Sequence, residues 1–259
     1  MDASISPAAL RQSLHSAQPP LVIDVRREER FLESACLVRG ALRRRPDRID
    51  DWKTTLPAAA SVIVYCVHGK EVSQNAAKTL NARYLEGGIE AWRESGGELD
   101  AKPCGAATRW VTRERPKIDR IACPWLVRRF VDPNAEFLYV PTPEVPAAAR
   151  ARQAIPYDIP DVHFSHEGER CSFDAFLKHF NLGDPALADL ALIVRGADTN
   201  RLELAPQAPG LAAVSLGLSR IFRDDLEMLE HGMVLYDALY AWCKEGKNEL
   251  HTWNPAAYR

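Results

Sequence analysis

Residues 62–73, with the sequence Val-Ile-Val-Tyr-Cys-Val-His-Gly-Lys-Glu-Val-Ser, decide the fold of the first half of the chain. The apolar, β-branched run before Cys66 predicts a buried strand, and the residues after Ser73 predict a helix. A cysteine between a strand and a helix lies where loop amides and the positive end of the helix dipole converge. That field favours a thiolate, and it suits a bound anion or the outer sulfur of a persulfide. Cys66 is therefore the first candidate nucleophile.

Further strand and helix signals surround this stretch. Residues 21–25 and 83–85 predict strands, while Ser6 and Pro7 are typical of a helix start. Strands that alternate with short helices predict an α/β fold, a parallel sheet flanked by helices. Ligands of such sheets bind at the carboxyl ends of the strands, and Cys66 occupies one of those ends.

Length and composition limit the class of protein. The chain has 259 residues, which favours two domains, and its hydrophobic and charged fractions of 46% and 26% are ordinary for globular proteins. The net charge of −2 gives no general attraction to nucleic acid. No signal-peptide pattern begins the chain, and no stretch approaches the roughly 18 apolar residues of a membrane span. We expect a soluble, cytoplasmic protein with no nucleic-acid partner and no membrane insertion, whose six scattered cysteines are thiols.

Three motifs of the first half together carry a resemblance to a known family. They are Asp24-Val25-Arg26, the Cys66 loop, and residues 84–92 with the sequence Tyr-Leu-Glu-Gly-Gly-Ile-Glu-Ala-Trp. In this order and spacing, residues 8–100 resemble a rhodanese domain. The resemblance implies a sulfurtransferase, whose cysteine takes sulfur from a donor such as thiosulfate or a persulfide and passes it to a nucleophilic acceptor.

On that resemblance Cys66 is the catalytic residue, and a set of polar neighbours binds the substrate. The substrate-binding residues are His68, Gly69, Lys70, Glu71, Val72 and Ser73 of the loop, with Asp24 and Arg26. For Asp24 and Arg26 a structural ion pair is the favoured interpretation. Rhodanese loops often carry arginine and then serine or threonine where this chain has Glu71 and Val72. A carboxylate there repels anionic donors, so a non-catalytic docking module is the alternative.

The periodicity is lost between residues 96 and 107, which are rich in glycine and small residues. We predict a first domain at 1–100, a linker at 101–107 and a second domain at 108–259. Cys104 of the linker is either a thiol that resolves a persulfide on Cys66 or an exposed bystander. A basic cluster of the first domain is either a solvated face or a funnel for small anions; it comprises Arg39, Arg43, Arg44, Arg45 and Arg48.

The second half predicts a mainly helical α+β domain. Residues 108–112 and 137–140 read as strands, and the clearest helices span 119–130 and 224–244. Apolar residues recur at three- and four-residue steps along the last helix and predict a buried stripe of Leu226, Leu229, Met233, Tyr236, Tyr240 and Cys243.

Residues 163–174 concentrate imidazole, thiol and carboxylate groups, the usual donors to zinc or iron. His166 and Cys171 are the candidate metal ligands within this segment. Asp119 and His231, or Asp198, are candidates to complete a transition-metal site. The alternative is that His166 bridges a loop, Cys171 is buried, and Ser172 and Asp174 begin a helix.

Three blocks of the second half resemble another family. Residues 110–130, 164–173 and 231–240 are similar to the C-terminal domain of the chromate-resistance ChrB-type proteins, and the resemblance runs from 108 to 246. It implies a role in chromate resistance, and since chromate and sulfate share charge and shape, chromate is a further candidate ligand. The combined prediction is a sulfurtransferase that forms a persulfide at Cys66 and is linked to chromate resistance. The alternative is a non-catalytic oxyanion or metal sensor with a rhodanese-like docking module.

Overall fold

A computed structural model describes residues 3–16, 18–56, 61–102 and 107–249. Most of the predicted linker, including Cys104, lies outside the described residues, so the roles considered for that thiol stay predictions. None of the helices in the described ranges combines the length and the apolar composition that a bilayer crossing requires.

The first half is built around a parallel sheet. The strands of this half are β1 (Ser4–Ile5), β2 (Leu21–Asp24), β3 (Cys36–Val38), β4 (Leu42–Arg43), β5 (Val62–Tyr65), β6 (Arg83–Leu85) and β7 (Leu99–Ala101). Five of them pair in parallel in the order β1-β6-β5-β2-β4, and β5, which leads into Cys66, is the central strand. The helices are α1 (Pro7–Leu14), α2 (Glu28–Glu33), α3 (Ile49–Trp52), α4 (Glu71–Leu80) and α5 (Gly88–Glu94).

Helices cover both faces of this sheet, as the sequence predicts. Side chains alternate between the two faces of a strand, and the residues of β2 and β5 accordingly enter two different apolar clusters. Ile23 and Val64 join the cluster that contains Ala76 of α4. Val22 and Ile63 join the cluster that contains Leu10 of α1 and Trp92 of α5. The predicted start of α1 is also confirmed, since the Ser6 hydroxyl accepts a hydrogen bond from the Ala9 amide.

Strands β1, β3 and β7 of this half were not predicted. Residues Leu99–Ala101 form β7, which pairs antiparallel with β3, within the stretch where the sequence loses its periodicity. A strand of three residues with a central aspartate has too little alternation to be recognised. The strand reaches Ala101, the residue at which the predicted linker begins, and the boundary between the two domains stays a prediction.

The second half is mainly helical with a small parallel sheet. Its strands are β8 (Arg109–Arg113), β9 (Glu136–Val140) and β10 (Ile155–Pro156), in the order β10-β8-β9. Its helices are α6 (Asp119–Leu126), α7 (Val145–Arg152), α8 (Ser172–His179), α9 (Pro185–Asp198), α10 (Ala208–Ile221) and α11 (Asp225–Ala241).

The helix predicted over 119–130 ends as an α-helix at Leu126 and continues as a π-helical turn over Val127–Val131. Within α6, Pro124 removes one helical hydrogen bond, because proline has no amide hydrogen to donate to the carbonyl four residues earlier. That carbonyl belongs to Arg120, and it accepts hydrogen bonds from the hydroxyls of Tyr139 and Tyr157 instead. The lost helical bond is thus replaced by two side chains of the neighbouring β9–β10 region.

The predicted stripe along α11 is buried at most of its positions. Leu229, Met233, Tyr236 and Cys243 are 5% exposed or less. Leu226 departs from the prediction with 49% exposure, since the first turn of the helix extends past the core. Cys243 is therefore a core thiol, as expected.

The two halves share one continuous apolar core, in which Leu42 and Trp52 of the first half join Trp110 and Phe130 of the second. A buried guanidinium reinforces the join. Arg44 is 7% exposed and donates hydrogen bonds to the carbonyls of Phe130 and Val131, the latter at 2.7 Å. Burial lowers the pKa of Arg44 to about 10. One member of the predicted basic cluster is thus part of the contact between the halves.

Candidate functional site

Cys66 follows directly after the central strand β5, at the carboxyl edge of the parallel sheet. The loop of residues 67–70 connects it to α4, whose N-cap is Lys70. The predicted strand, cysteine loop and helix are therefore all present, and Cys66 lies 7% exposed at the base of the loop.

The Cys66 sulfur lies beside a buried hydroxyl. Its Sγ is 3.1 Å from the Oγ of Ser73, which is fully buried in the first turn of α4, and 4.0 Å from the carbonyl oxygen of Lys70. The Ser73 hydroxyl can also donate to the Lys70 carbonyl at 3.1 Å. A thiol at Cys66 can donate to Ser73, and a sulfur anion there can accept from it. Ser73 thus offers a hydrogen bond to either protonation state of the sulfur.

Close backbone packing fixes the shape of the cysteine loop. Gly69 and Gly88 both have positive φ, at 64° and 62°, which glycine adopts without strain. A Cβ on Gly88 would lie 2.4 Å from the carbonyl oxygens of Cys66 and Val67. The amides of Ile89 and Glu90 donate to these same carbonyls at 3.0 and 3.3 Å. The first turn of α5 therefore holds the two carbonyls that follow β5.

The amides of the loop are left available. None of the amides of residues 67–71 donates a backbone hydrogen bond to another described residue. These groups lead directly into the N-terminus of α4, where the helix dipole adds positive potential. Unpaired amides at a helix N-terminus are suited to an anion. The loop has the features of an anion cradle next to the Cys66 sulfur.

The remaining predicted loop residues divide into those exposed to solvent and those packed against the core. The side chains of His68, Lys70 and Glu71 are exposed, so the carboxylate that departs from the rhodanese pattern faces solvent. Val72 is half-buried and packs against the large core. The rhodanese pattern often has serine or threonine at the position of Val72. In this chain the serine follows one residue later, and it is this residue, Ser73, that contacts the sulfur.

Asp24 and Arg26 form a buried ion pair, as the favoured interpretation has it. The Arg26 guanidinium donates to the Asp24 carboxylate at 2.5–3.0 Å, and both side chains are at most 1% exposed. Tyr65 donates its hydroxyl to Asp24 at 2.9 Å, and Arg26 also donates to the Cys36 carbonyl. The pair joins β2, β3 and β5, and its burial closes it off from solvent.

A second polar site lies in the second half, where one imidazole meets three carboxylates. The Nε2 of His166 is 3.4 Å from Asp119 Oδ2, 3.4 Å from Asp158 Oδ1 and 3.3 Å from Asp198 Oδ2. Asp119 begins α6 and Asp198 ends α9, whereas His166 and Asp158 lie between β10 and α8. We call these four residues the acid–histidine cluster.

Electrostatics favour a cation at the centre of this cluster. The carboxylates of Asp119, Asp158 and Asp198 around its Nε2 raise the pKa of His166 far above its usual value, so without a metal the ring holds a proton, which a bound metal ion would replace. Burial, together with the charges of Asp158 and Asp198, raises the pKa of Asp119 despite the hydrogen bond from His166. Burial acts the same way on Asp158, but hydrogen bonds from His166 and Arg113 outweigh it, and the pKa of Asp158 is lowered.

Neighbouring elements position the cluster. The Ser172 hydroxyl donates to Asp158 Oδ1 at 2.9 Å, and the Ser172 amide donates to Asp119 Oδ2 at 3.3 Å. The start of α6 is held from the other side, since Tyr236 of α11 donates to the Ile118 carbonyl at 2.7 Å. Ile118 has a φ of 40°, an unfavourable value for a β-branched residue. The strained turn before Asp119 is therefore stabilised by the buried stripe of α11.

Two of the four predicted metal ligands lie outside the cluster. Cys171 is fully buried, and its thiol donates to Asp174 Oδ2 at 3.6 Å. Burial and the nearby carboxylates of Asp119 and Asp174 raise the pKa of Cys171, which disfavours the thiolate that a metal requires. His231 is exposed on α11 and stacks on Phe222, with ring centroids 4.2 Å apart. The structure instead brings Asp119 and His166 together with Asp198, and adds Asp158, which the sequence did not indicate.

A third feature, between the halves, also escaped the sequence. Asp100 of β7 accepts from His179 of α8 at 3.0 Å, and the other ring nitrogen of His179 is 2.9 Å from His163 Nε2. Residues of both halves also line an open cavity of about 1010 Å³. Members of the predicted basic cluster also line it, although most of them are paired, as Arg43 is with Glu28 and Arg45 with Asp47. The cavity does not include Cys66 in its wall.

The fold and the cysteine loop place the first half in a known class. The family model described as the rhodanese-like domain matches residues 6–95. Among solved structures, a rhodanese-related protein from Thermoplasma volcanium is 23% identical, with a TM-score of 0.34, and the match covers 38% of this chain and 98% of that one. A rhodanese-like domain protein from Staphylococcus aureus is 25% identical, with a TM-score of 0.33, over 39% of this chain and 99% of that one. The first half is a rhodanese-like α/β domain.

The second half has its own family. The model described as the ChrB C-terminal domain matches residues 110–243, which is more than half of the chain. The chain is 37% identical over 134 residues to Protein ChrB of Cupriavidus metallidurans, a match that covers 51% of this chain and 40% of that protein. The chain belongs to the family of the ChrB C-terminal domain and carries a rhodanese-like domain in front of it.

Proposed function

We propose that the chain is a sulfurtransferase in which Cys66 carries the transferred sulfur as a persulfide. The observation that supports this most strongly is the cysteine loop: its amides at residues 67–71 donate no backbone hydrogen bond to another described residue, it leads from Cys66 into the N-terminus of α4, and the Ser73 hydroxyl of that first turn lies 3.1 Å from the Cys66 sulfur. Such a cradle stabilises negative charge at the position that the outer sulfur of a persulfide occupies.

The reaction consists of two displacements at sulfur. The Cys66 thiolate attacks the outer sulfur of thiosulfate and forms a new S–S bond. The bond between that sulfur and the sulfonate group breaks, and sulfite leaves with its electron pair. A nucleophilic acceptor, such as a thiolate or cyanide, then attacks the outer sulfur of the persulfide. The bond to Cys66 breaks, and its electron pair returns the thiolate.

Residues around the sulfur have distinct roles in this proposal. Ser73 donates a hydrogen bond to the sulfur anion, while the loop amides and the exposed Lys70 attract the donor. Glu71 opposes an anionic donor, so a neutral or zwitterionic persulfide donor is favoured over thiosulfate. Asp24 and Arg26 hold the strands that carry the loop and do not touch the donor.

A reducing cytoplasm is part of the proposal, supported by the free thiols of Cys36, Cys66, Cys123, Cys171 and Cys243.

A link to chromate resistance is the second part of the proposal. It is supported by membership of the ChrB C-terminal domain family and by the relative named ChrB. Since that relative is matched over 40% of its length, the role of the whole relative is not transferred.

A turnover assay tests the proposed activity. The protein is incubated with thiosulfate, or with a small organic persulfide, and cyanide, and thiocyanate is measured. We expect Cys66→Ser to lose the activity and Cys36→Ser to keep it, because Cys36 is a half-buried thiol outside the loop. If the parent produces no thiocyanate from either donor, the non-catalytic docking module is the better account. The exposed Glu71 carboxylate is the observation that favours this alternative.

A further inference from the structure

The acid–histidine cluster has an unusual distribution of charge. Asp158 is matched by two guanidinium groups, Arg113 at 2.7 Å and Arg120 at 3.2 Å. Asp119 and Asp198 have no lysine or arginine within 4.0 Å among the described residues. Their shared cationic neighbour is the imidazole of His166. Two carboxylates without a strong basic partner are thus held close together, and one of them, Asp119, is 2% exposed.

Burial of such a pair is costly unless a cation compensates the charge. The fold nevertheless holds both groups firmly, since Asp119 begins α6 and Asp198 ends α9. Both carboxylates face the imidazole, whose side chain is 41% exposed and connects the cluster to solvent. A cation can therefore reach the buried carboxylates from the solvent side.

We propose that Asp119, His166 and Asp198 bind one divalent transition-metal cation of the Zn²⁺, Fe²⁺ or Mn²⁺ class. Each of the three residues offers one ligand atom, and these three atoms lie within 4.8 Å of one another. Donors bound at about 2.0–2.2 Å around a tetrahedral ion lie about 3.3–3.6 Å apart. The His166 nitrogen is 3.3 and 3.4 Å from the two carboxylate oxygens, which matches this spacing.

The donor set defines the class of metal. Two carboxylates and one imidazole suit a divalent cation of intermediate hardness, whereas a thiolate ligand from Cys171 would favour softer ions such as Cu⁺. Three protein donors leave a fourth position open, the arrangement of metal sites that bind a water or a substrate. Asp158 lies beside the three ligands and is not one of them, since Arg113 and Arg120 match its charge and its Oδ1 accepts a hydrogen bond from Ser172. The site is independent of Cys66 and of sulfur transfer.

Metal content tests this proposal on the full chain. The protein is incubated with Zn²⁺ or Mn²⁺, freed of unbound metal by gel filtration, and analysed by inductively coupled plasma mass spectrometry. We expect one ion per chain in the parent. Asp198→Asn and His166→Gln lose at least about 10- to 100-fold in affinity, the loss found even for outer-shell changes.

Matched variants make the result specific. Asp189→Asn removes a carboxylate of the same helix that pairs with Lys247, and His231→Gln removes the exposed histidine of α11. Both are expected to bind metal like the parent, as is Cys171→Ser. Circular dichroism of each variant checks the fold. The proposal is overturned if the parent binds neither ion, if the cluster variants bind as well as the parent, or if Cys171→Ser abolishes binding while folded Asp198→Asn retains it.

Discussion

The cysteine loop and the acid–histidine cluster differ in how the chain assembles them. The loop is a run of consecutive residues between β5 and α4, so its strand, cysteine and helix are visible together in the sequence. The cluster draws Asp119, Asp158, His166 and Asp198 from four places along 80 positions of the chain, and only the packed helices bring them together. A local site can thus be recognised from its spacing, whereas for a site built by tertiary packing the sequence offers candidate residues but does not show which of them meet.

The largest expected effect on stability comes from adding a methyl group at Gly88, where the cysteine loop packs against α5. Gly88→Ala places a methyl group 2.4 Å from the carbonyl oxygens of Cys66 and Val67, in addition to the strain of its positive φ. The strain alone costs about 1–2 kcal/mol, and over-packing adds about 1–3 kcal/mol. We expect the free energy of unfolding to fall by the sum of both, with loss of sulfur transfer. Urea denaturation measures the first quantity.

Gly168→Ala is the matched control near the other site. Gly168 has a φ of 61° but no atom within 4 Å of its added Cβ, so only the strain of about 1–2 kcal/mol is expected. Equal destabilisation by the two substitutions would contradict the close packing of the cysteine loop against the first turn of α5.

A pair of serine substitutions separates the two sites. Ser73→Ala removes the hydroxyl 3.1 Å from the Cys66 sulfur and is expected to lower kcat for sulfur transfer about tenfold, the effect of about 1.4 kcal/mol. Ser172→Ala removes the hydroxyl that holds Asp158 and is expected to lower metal affinity about tenfold.

Each serine variant should leave the other property unchanged. The measurements are steady-state kinetics with a persulfide donor and titration with Zn²⁺, both made on both variants. A loss of metal affinity in Ser73→Ala, or of sulfur transfer in Ser172→Ala, would show that the two sites are coupled and would contradict their separation.

The smallest expected effect is a pH dependence at the contact between the halves. Burial opposes ionisation of Asp100, but hydrogen bonds from His179 and the Gly40 amide outweigh it, and the pKa of Asp100 lies below its usual value of 3.8. A carboxylate with a lowered pKa stabilises the folded chain fully above the unfolded pKa, and this contribution is lost as the pH falls through the folded pKa. The free energy of unfolding should therefore fall more steeply below pH 3.8 in the parent than in Asp100→Asn. Parallel curves for the two proteins would show that the hydrogen bond from His179 does not stabilise the contact.

Local chemistry explains which parts of the fold the sequence predicts. Three predicted features depend only on neighbours within about four positions along the chain, and all three are present. They are the Ser6 cap of α1, the strand before Cys66 and the stripe of α11. Strand β7 was missed because its pairing partner β3 lies some 60 positions earlier and supplies the stability that its own three residues lack. Pro124 inside α6 is likewise accommodated by Tyr139 and Tyr157, which are distant in sequence and donate to the Arg120 carbonyl.

The candidate metal ligands show the same difference between features set by local sequence and features set by distant residues. Cys171 and His231 were chosen for their chemical type, yet the thiol of Cys171 is buried against Asp174 and the ring of His231 stacks on Phe222. Asp158 gave no signal because its role depends on Arg113 and Arg120 from two other segments. His166 could be selected because it lies in a segment dense in metal-binding side chains.

Intact mass spectrometry of the persulfide tests the central claim most directly. The parent, Cys66→Ser and Cys36→Ser are each incubated with thiosulfate or a small persulfide, and their masses are measured before and after treatment with cyanide. We predict that the parent and Cys36→Ser gain one sulfur atom that cyanide removes, and that Cys66→Ser gains none. A parent protein that gains no sulfur from either donor, or a Cys66→Ser variant that gains as much as the parent, would contradict the assignment of Cys66 as the sulfur carrier.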